Sequence, residues 1–278
     1  MTADNFNILI AGLGLMGGSL ARALRGFKNA GITAFDKDAG VIARALSEGV
    51  IDAGGADAAE LLPDADLVIV CLYPADTVNF INNGRFKSGA VVTDICGIKK
   101  YVTDSVTNPE VCYIGGHPMA GRELSGYGAA EEELFLGASY ILTPGADAPE
   151  SAVELLRSMA GYIGCRRVEI TTPEKHDAMI AYTSQLMHVA ASALCDNPLL
   201  EEAGSYSAGS LRDCTRVANI NSEMWSELFL KNRAALTARI TELERSMDKI
   251  KTLLNAEDSA GLRAFLEKSA ERKRRFLA

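Results

Sequence analysis

Histidine is scarce in this 278-residue chain: there are three, His117, His176 and His188, and tryptophan occurs once. Chemistry that needs an imidazole therefore has few places to reside. Long apolar runs are also missing. None approaches the roughly 18 residues that a membrane-spanning helix needs, although 48% of the residues are hydrophobic. Positive charge is outweighed, with 28 Lys and Arg against 36 Asp and Glu and a net charge of −8. That excludes a nucleic-acid partner, which demands a basic surface. The one basic cluster, "RKRR" at Arg272 to Arg275, ends a helical pattern, where cations complement the helix C-terminus. It reads as a solvated last turn. The six cysteines form no C-x-x-C pair or other metal spacing, so no metal is expected, and scattered thiols suit a reducing cytosol. "MTADNFNILIAG" lacks the basic and apolar regions of a secretion signal. The expectation is a soluble cytoplasmic protein that meets neither membrane nor nucleic acid.

What is present alternates between two periods. Short apolar runs, "NILIA", "ITAF", "ADLVIVCL", "GAVVTDI", "CYIGGH", "SYILTP" and "RRVEIT", alternate with helical patterns such as "AGVIARALSEG" and residues 149–163. Strands of this length separated by helices imply βαβ units and a parallel sheet covered on both faces. From Thr172 the pattern is helical almost throughout, with Pro173 near the first helical position. The reading is an α/β domain over 1–170 and an all-helical domain over 171–278. In the latter, Leu236, Ile240, Leu243, Met247, Ile250 and Leu254 recur at 4-3-4-3-4 spacing. Such an a/d-type seam on a long helix is best covered by a second chain, which predicts a homodimer.

"GLGLMGG" contains Gly12-x-Gly14-x-x-Gly17, directly after a strand and directly before a helix. The first glycine permits a tight turn and the second lets the backbone approach a pyrophosphate. The third lets helix and strand pack closely, while the helix N-terminus faces the anion. Asp36, nineteen residues beyond Gly17, ends the second strand. A carboxylate there accepts hydrogen bonds from ribose hydroxyls and repels a 2′-phosphate, so NAD is favoured over NADP. The adjacent Lys37 can partly offset that repulsion. Candidate cofactor contacts are Gly12, Leu13, Gly14, Leu15, Met16, Gly17 and Asp36, with Tyr73 and Asp94 at the ends of later strands.

"GGHPMAGRELSG" places His117 after two glycines and before Pro118. The spacing predicts that the strand stops at Gly116 and that His117 emerges in a loop at its carboxyl end, where ligands bind in open α/β sheets. An imidazole there can take a hydroxyl proton as hydride leaves. A loop histidine with a satisfied hydrogen bond is the alternative reading of the residues.

"AGLGLMGGSLARAL", "TDICGIK", "GGHPMAGRELSG" and "LRDCTRVA…MW" together resemble the prephenate dehydrogenase family, in order from about residue 7 to about 255, a span nearly as long as the chain. The resemblance implies an amino-terminal Rossmann-type doubly wound sheet followed by an all-helical dimerisation domain. It further implies NAD-dependent oxidative decarboxylation of prephenate to 4-hydroxyphenylpyruvate, in tyrosine biosynthesis. His117 matches the family's catalytic histidine and Arg216 its substrate-carboxylate arginine. Ser184, Gln185 and His188, read as one face of a helix, match its pocket-lining stretch. Glu123 matches an acidic residue near the site entrance, Arg212 is a weaker candidate, and His176 falls on an "HD" pair read as structural or interdomain. Many members carry Ser where this chain has Gly97, so the second hydroxyl contact must come from elsewhere; Cys96 beside it reads as a small filler. The competing functions are arogenate or dual-specificity cyclohexadienyl dehydrogenase, a β-hydroxyacid or imine-type dehydrogenase, and an NAD-sensing protein without turnover.

Overall fold

The structure, a computed structural model, describes residues 6–277. Strand β1 (Asn7–Ala11) leads through the glycine turn into helix α1 (Leu15–Ala23), then β2 (Gly31–Phe35), α2 (Ala39–Ser47) and β3 (Ala53–Gly55). There follow β4 (Leu67–Val70), α3 (Pro74–Asn83), β5 (Val91–Asp94), α4 (Lys100–Ser105) and β6 (Cys112–Pro118). β7 (Ser139–Pro144), α5 (Glu150–Tyr162) and β8 (Arg167–Ile170) complete the sheet, whose order is β3-β2-β1-β4-β5-β6-β7-β8. The central strands are continuous apolar runs because both faces are covered. Ile8 and Ile10 of β1 turn to one face and pack with Leu20 of α1 and Leu156 of α5. Leu9 and Ala11 turn to the other, with Ile81 of α3.

All neighbours pair in parallel except β6 and β7, which are antiparallel. The wholly parallel sheet expected from the alternating pattern is corrected at that one junction. The order reverses between β1 and β4, each bonded to the other but leading to opposite halves of the sheet. A crevice at the carboxyl ends of those strands is where a doubly wound sheet takes its ligand.

Beyond β8 come α6 (Pro173–Ile180), a π turn (Ala181–Gln185), α7 (Leu186–Cys195), α8 (Leu199–Glu202), α9 (Gly209–Thr215) and α10 (Ser222–Lys231). Thr172 caps α6 by accepting from Lys175 N–H, and Pro173 opens the helix where its missing N–H costs nothing. By contacts the compact units divide after Asn232. Long-range bonds tie the first helices beyond β8 to the sheet: Asp177 of α6 accepts from Lys99 and Lys100 N–H at the start of α4, and Glu227 of α10 accepts from Ala75 N–H in α3. The second unit holds the helices α11 (Arg233–Asn255) and α12 (Ser259–Leu277). α11 carries the seam; Leu236 is buried, while Met247 and Leu254 are exposed. Among the described residues no helix is long and apolar enough to cross a membrane.

Candidate functional site

The glycine turn is built as its spacing predicts. Gly12 has φ +96°, and a Cβ there would lie 2.7 Å from the Cys71 carbonyl oxygen. At Gly17 a Cβ would lie 1.8 Å from the Gly12 carbonyl oxygen, so helix and turn touch directly. At Gly14, by contrast, a Cβ would meet nothing within 4 Å among the described residues. That open space adjoins the N-terminus of α1, which no side chain caps, leaving first-turn N–H groups to an anion. The cradle therefore fits a dinucleotide pyrophosphate. Leu13 and Leu15 are buried, so their part in the cradle is backbone only; Met16 is half-buried against the core.

Asp36 accepts Leu13 N–H at 2.7 Å on one oxygen and Asp38 N–H at 2.9 Å on the other. Each oxygen keeps a lone pair for a further donor. Tyr73, half exposed before α3, accepts a long bond from Asn221 Nδ2 at 3.4 Å. Asp94 is placed differently from the cofactor contact its sequence position implied. It is fully buried, and its oxygens accept from Tyr113 Oη, Gly116 N–H, Cys96 N–H and the Lys99 ammonium. Lys99, also fully buried, donates its other bond to the Gly116 carbonyl at 2.6 Å. Asp94 thus anchors the floor of the site through a buried ion pair.

That floor carries His117. The expectation of a loop is corrected: β6 continues through His117 and Pro118, which pair with Ile141 and Tyr140 of β7. β5 pairs no further than Ile114, so the strand has one free side where a proline without N–H is tolerated. The preceding glycines are required by close approach. A Cβ at Gly116 would lie 2.7 Å from the Asp94 carbonyl, and one at Gly115 would lie 2.4 Å from Thr143 Oγ1.

Sequence reasoning missed the partner of this histidine. His117 Nδ1 lies 2.8 Å from His176 Nε2, and His176 Nδ1 lies 2.7 Å from Asp177 Oδ1. Burial holds both imidazoles below their ordinary pKa. The neighbouring His176 and the Lys99 ammonium add to this at His117, while the Asp177 carboxylate opposes it at His176. His117 Nε2 faces the backbone of Gly97, where a Cβ would lie 3.9 Å away in ordinary contact. Cys96 beside it is a buried filler. Its Sγ lies 3.5 Å from Thr77 Oγ1, and burial pushes the thiol well above its usual pKa.

Arg216, between α9 and α10, pairs with Glu123 from the loop after β6. Both side chains are exposed. Tyr127 pins the far end of that loop against α1, donating its hydroxyl to Glu48, whose carboxylate also holds Arg22 and Arg44 and sits at a pKa of about 2. His188 donates Nδ1–H to the Val217 carbonyl at 2.8 Å and packs against Trp225, with ring centroids 3.7 Å apart and planes tilted by 39°. Glu123 and Arg216 both act on its charge. Ser184 is half-buried. Gln185 is not on the same face, because the π turn rotates it inward. It is 1% exposed, accepts from Asn232 Nδ2 at 2.8 Å and donates weakly to the Leu228 carbonyl. It braces helices. Arg212 is exposed on α9. Among the described residues no cluster of His, Cys, Asp or Glu could hold a metal ion.

Two family models cover most of the chain: prephenate dehydrogenase, nucleotide-binding domain, over residues 20–169, and prephenate dehydrogenase, dimerization domain, over 172–268. A prephenate dehydrogenase of Bacillus subtilis is 33% identical over 273 residues, covering 92% of this chain and 72% of the relative. A crystal structure of prephenate dehydrogenase from Aquifex aeolicus in complex with hydroxyphenyl propionate and NAD+ superposes with a TM-score of 0.87 at 29% identity, over 100% of both chains. A Synechocystis arogenate dehydrogenase superposes with a TM-score of 0.81 at 26% identity, over 98% of this chain and 100% of the other. With its glycine cradle, its histidine strand and both domains matched in order, the chain belongs to the prephenate dehydrogenase family.

Proposed function

We propose that the chain binds NAD+ and prephenate and forms 4-hydroxyphenylpyruvate and CO2, the cofactor accepting hydride from the ring carbon that bears the 4-hydroxyl. One observation carries this reading. Among the described residues His117 bonds to protein through Nδ1, to His176, so Nε2 at the carboxyl end of the sheet is available to a ligand hydroxyl. His117 takes the hydroxyl proton as the carbon is oxidised and returns it to the aromatic product's oxygen, so no proton is released overall. Gly12, Gly14 and Gly17 cradle the pyrophosphate, and Asp36 takes the ribose. Arg216 engages a carboxylate of the dianionic substrate, exchanging Glu123 for it. His188 offers its second nitrogen nearby, and Ser184 lines the pocket.

The roles divide at 170/171, with the cofactor held by residues 1–170 and the substrate and dimer contacts supplied by 171–278. The match to a dimerization domain and the exposed apolar positions of α11 and α12 support a homodimer. The enzyme works in the cytoplasm. Arogenate is the second reading, favoured by the likeness to the Synechocystis enzyme. Formation of NADH, followed by absorbance with prephenate and with arogenate, tests both; a larger kcat/KM for arogenate overturns the first. His117→Asn should retain NADH binding and lose about 100-fold or more in kcat, the usual worth of a general base.

A further inference from the structure

His117, His176 and Asp177 stand in line, Nδ1 to Nε2 at 2.8 Å and Nδ1 to Oδ1 at 2.7 Å. Counting hydrogens gives the line a direction. The Asp177 carboxylate already accepts Lys99 N–H at 2.7 Å and Lys100 N–H at 3.0 Å, so it acts as an acceptor towards His176 as well. The proton of that bond sits on His176 Nδ1, which leaves Nε2 of the neutral ring as an acceptor. His117 must then donate from Nδ1, and its own Nε2 carries the lone pair. The resting tautomer of a histidine in β6 is thus set by a carboxylate in α6, two bonds away.

The charged groups facing the pair treat the two rings unequally. The buried Lys99 ammonium opposes a cation on either ring, whereas Asp177 and Asp94 favour one on His176. We propose that the proton accepted at His117 Nε2 is matched by passage of the Nδ1 proton to His176 Nε2, so that the imidazolium formed during turnover resides on His176. One substrate O–H bond breaks and an Nε2–H bond forms on His117. The His117 Nδ1–H bond breaks and an Nε2–H bond forms on His176, beside the Asp177 carboxylate. The reverse passage returns the proton to the product oxygen. This rests on His117 being the proton acceptor proposed above. His176 and Asp177 are positioning residues, since neither touches the substrate.

Only three histidines are present, so isotope-labelled histidine and nitrogen NMR on the full-length, NADH-bound protein read the chain directly, with His117→Asn and His176→Asn spectra giving the assignments. Near pH 8, about 1.5 units above the ordinary histidine pKa, both rings should carry hydrogen on Nδ1 and none on Nε2. On acidification His176 should become the imidazolium before His117. Hydrogen on His117 Nε2, or His117 charging first, overturns the proposal. In Asp177→Asn, which keeps one acceptor oxygen for α4, kcat should fall about tenfold or more while KM for both substrates changes little. The acid limb of kcat should also move to lower pH, because the carboxylate that favours the cation is gone. An unmoved limb means that Asp177 serves structure alone and overturns the relay. Absence of turnover with prephenate would sink the functional reading, and the NMR would still decide the relay.

Discussion

Alanine at Gly14 should separate cofactor binding from folding. The backbone there has φ −71° and ψ −159°, which alanine adopts without strain, and among the described residues an added methyl meets no atom within 4 Å. The fold loses only the N-cap preference of glycine over alanine, about 0.5–1 kcal/mol. At about 2–4 °C per kcal/mol for a chain of this size, the melting temperature should fall by no more than about 4 °C. The same methyl occupies the space over the α1 N-terminus. Overpacking a close contact costs about 1–3 kcal/mol, equivalent to about 5- to 150-fold weaker binding. Gly17→Ala is the control, since its Cβ would lie 1.8 Å from the Gly12 carbonyl oxygen and should lower the melting temperature much further. Fluorescence titration with NADH and thermal melts of both variants provide the assay. Gly14→Ala binding NADH within about twofold of wild type, well inside that predicted range, would refute the cradle geometry. So would a Gly14→Ala protein that melts as low as Gly17→Ala.

Arg216→Ala should raise KM for prephenate about tenfold or more, the worth of a charged hydrogen bond, with a smaller effect on kcat; an unchanged KM in steady-state kinetics counts against the carboxylate role. Gly97→Ser should fold normally, because its Cβ sits at 3.8 Å or more from Leu228 and His117. A stability loss above about 2 kcal/mol by urea denaturation, beyond what a surface-like change costs, would show that the space is not there. All three histidines are held below their ordinary pKa, burial being the first cause in each. The unfolded chain therefore binds their protons first, near pH 6.5. Their contribution is fully present above that pH and is lost as pH falls towards the folded values. Urea midpoints should drop between about pH 7.5 and about pH 5.5, on either side of the ordinary histidine value, and drop less in His117→Asn; an equal drop in both proteins contradicts the assignment.

The parts of the site that are local in sequence were legible there. The glycine spacing, the strands around it and Asp36 all follow from residues a few positions apart, and the structure places them as read. Four features were not. Pro118 reads in the sequence as a block to the strand, because a proline's missing donor says nothing about which side of a strand is free. The His117–His176 bond joins residues 59 apart, and no periodicity marks it; the nearest signals were the adjacent acid in "HD" and a lysine in "TDICGIK". That lysine, Lys99, is fully enclosed, although lysine is the residue least expected in a core. A 3.6-residue period puts Gln185 on a face with Ser184 and His188, and the π turn breaks that period.

The π turn has a bearing on how this enzyme can change over time. A stretch of five residues, Ala181–Gln185, carries one more residue than a regular α-helical path would use. Loss of one of them would close the bulge into a regular helix while α7 kept its rotation, because the bulge already absorbs the extra residue. His188 would keep Val217 and Trp225, whereas Gln185, which lies inside the bulge, would lose its aim at Asn232. A single codon deletion between 181 and 185 is therefore expected to spare α7, whereas the same deletion within α7 would swing every residue beyond it by about 100° around the axis. Lineages are expected to tolerate a change of length in the bulge and to hold the length of α7 fixed.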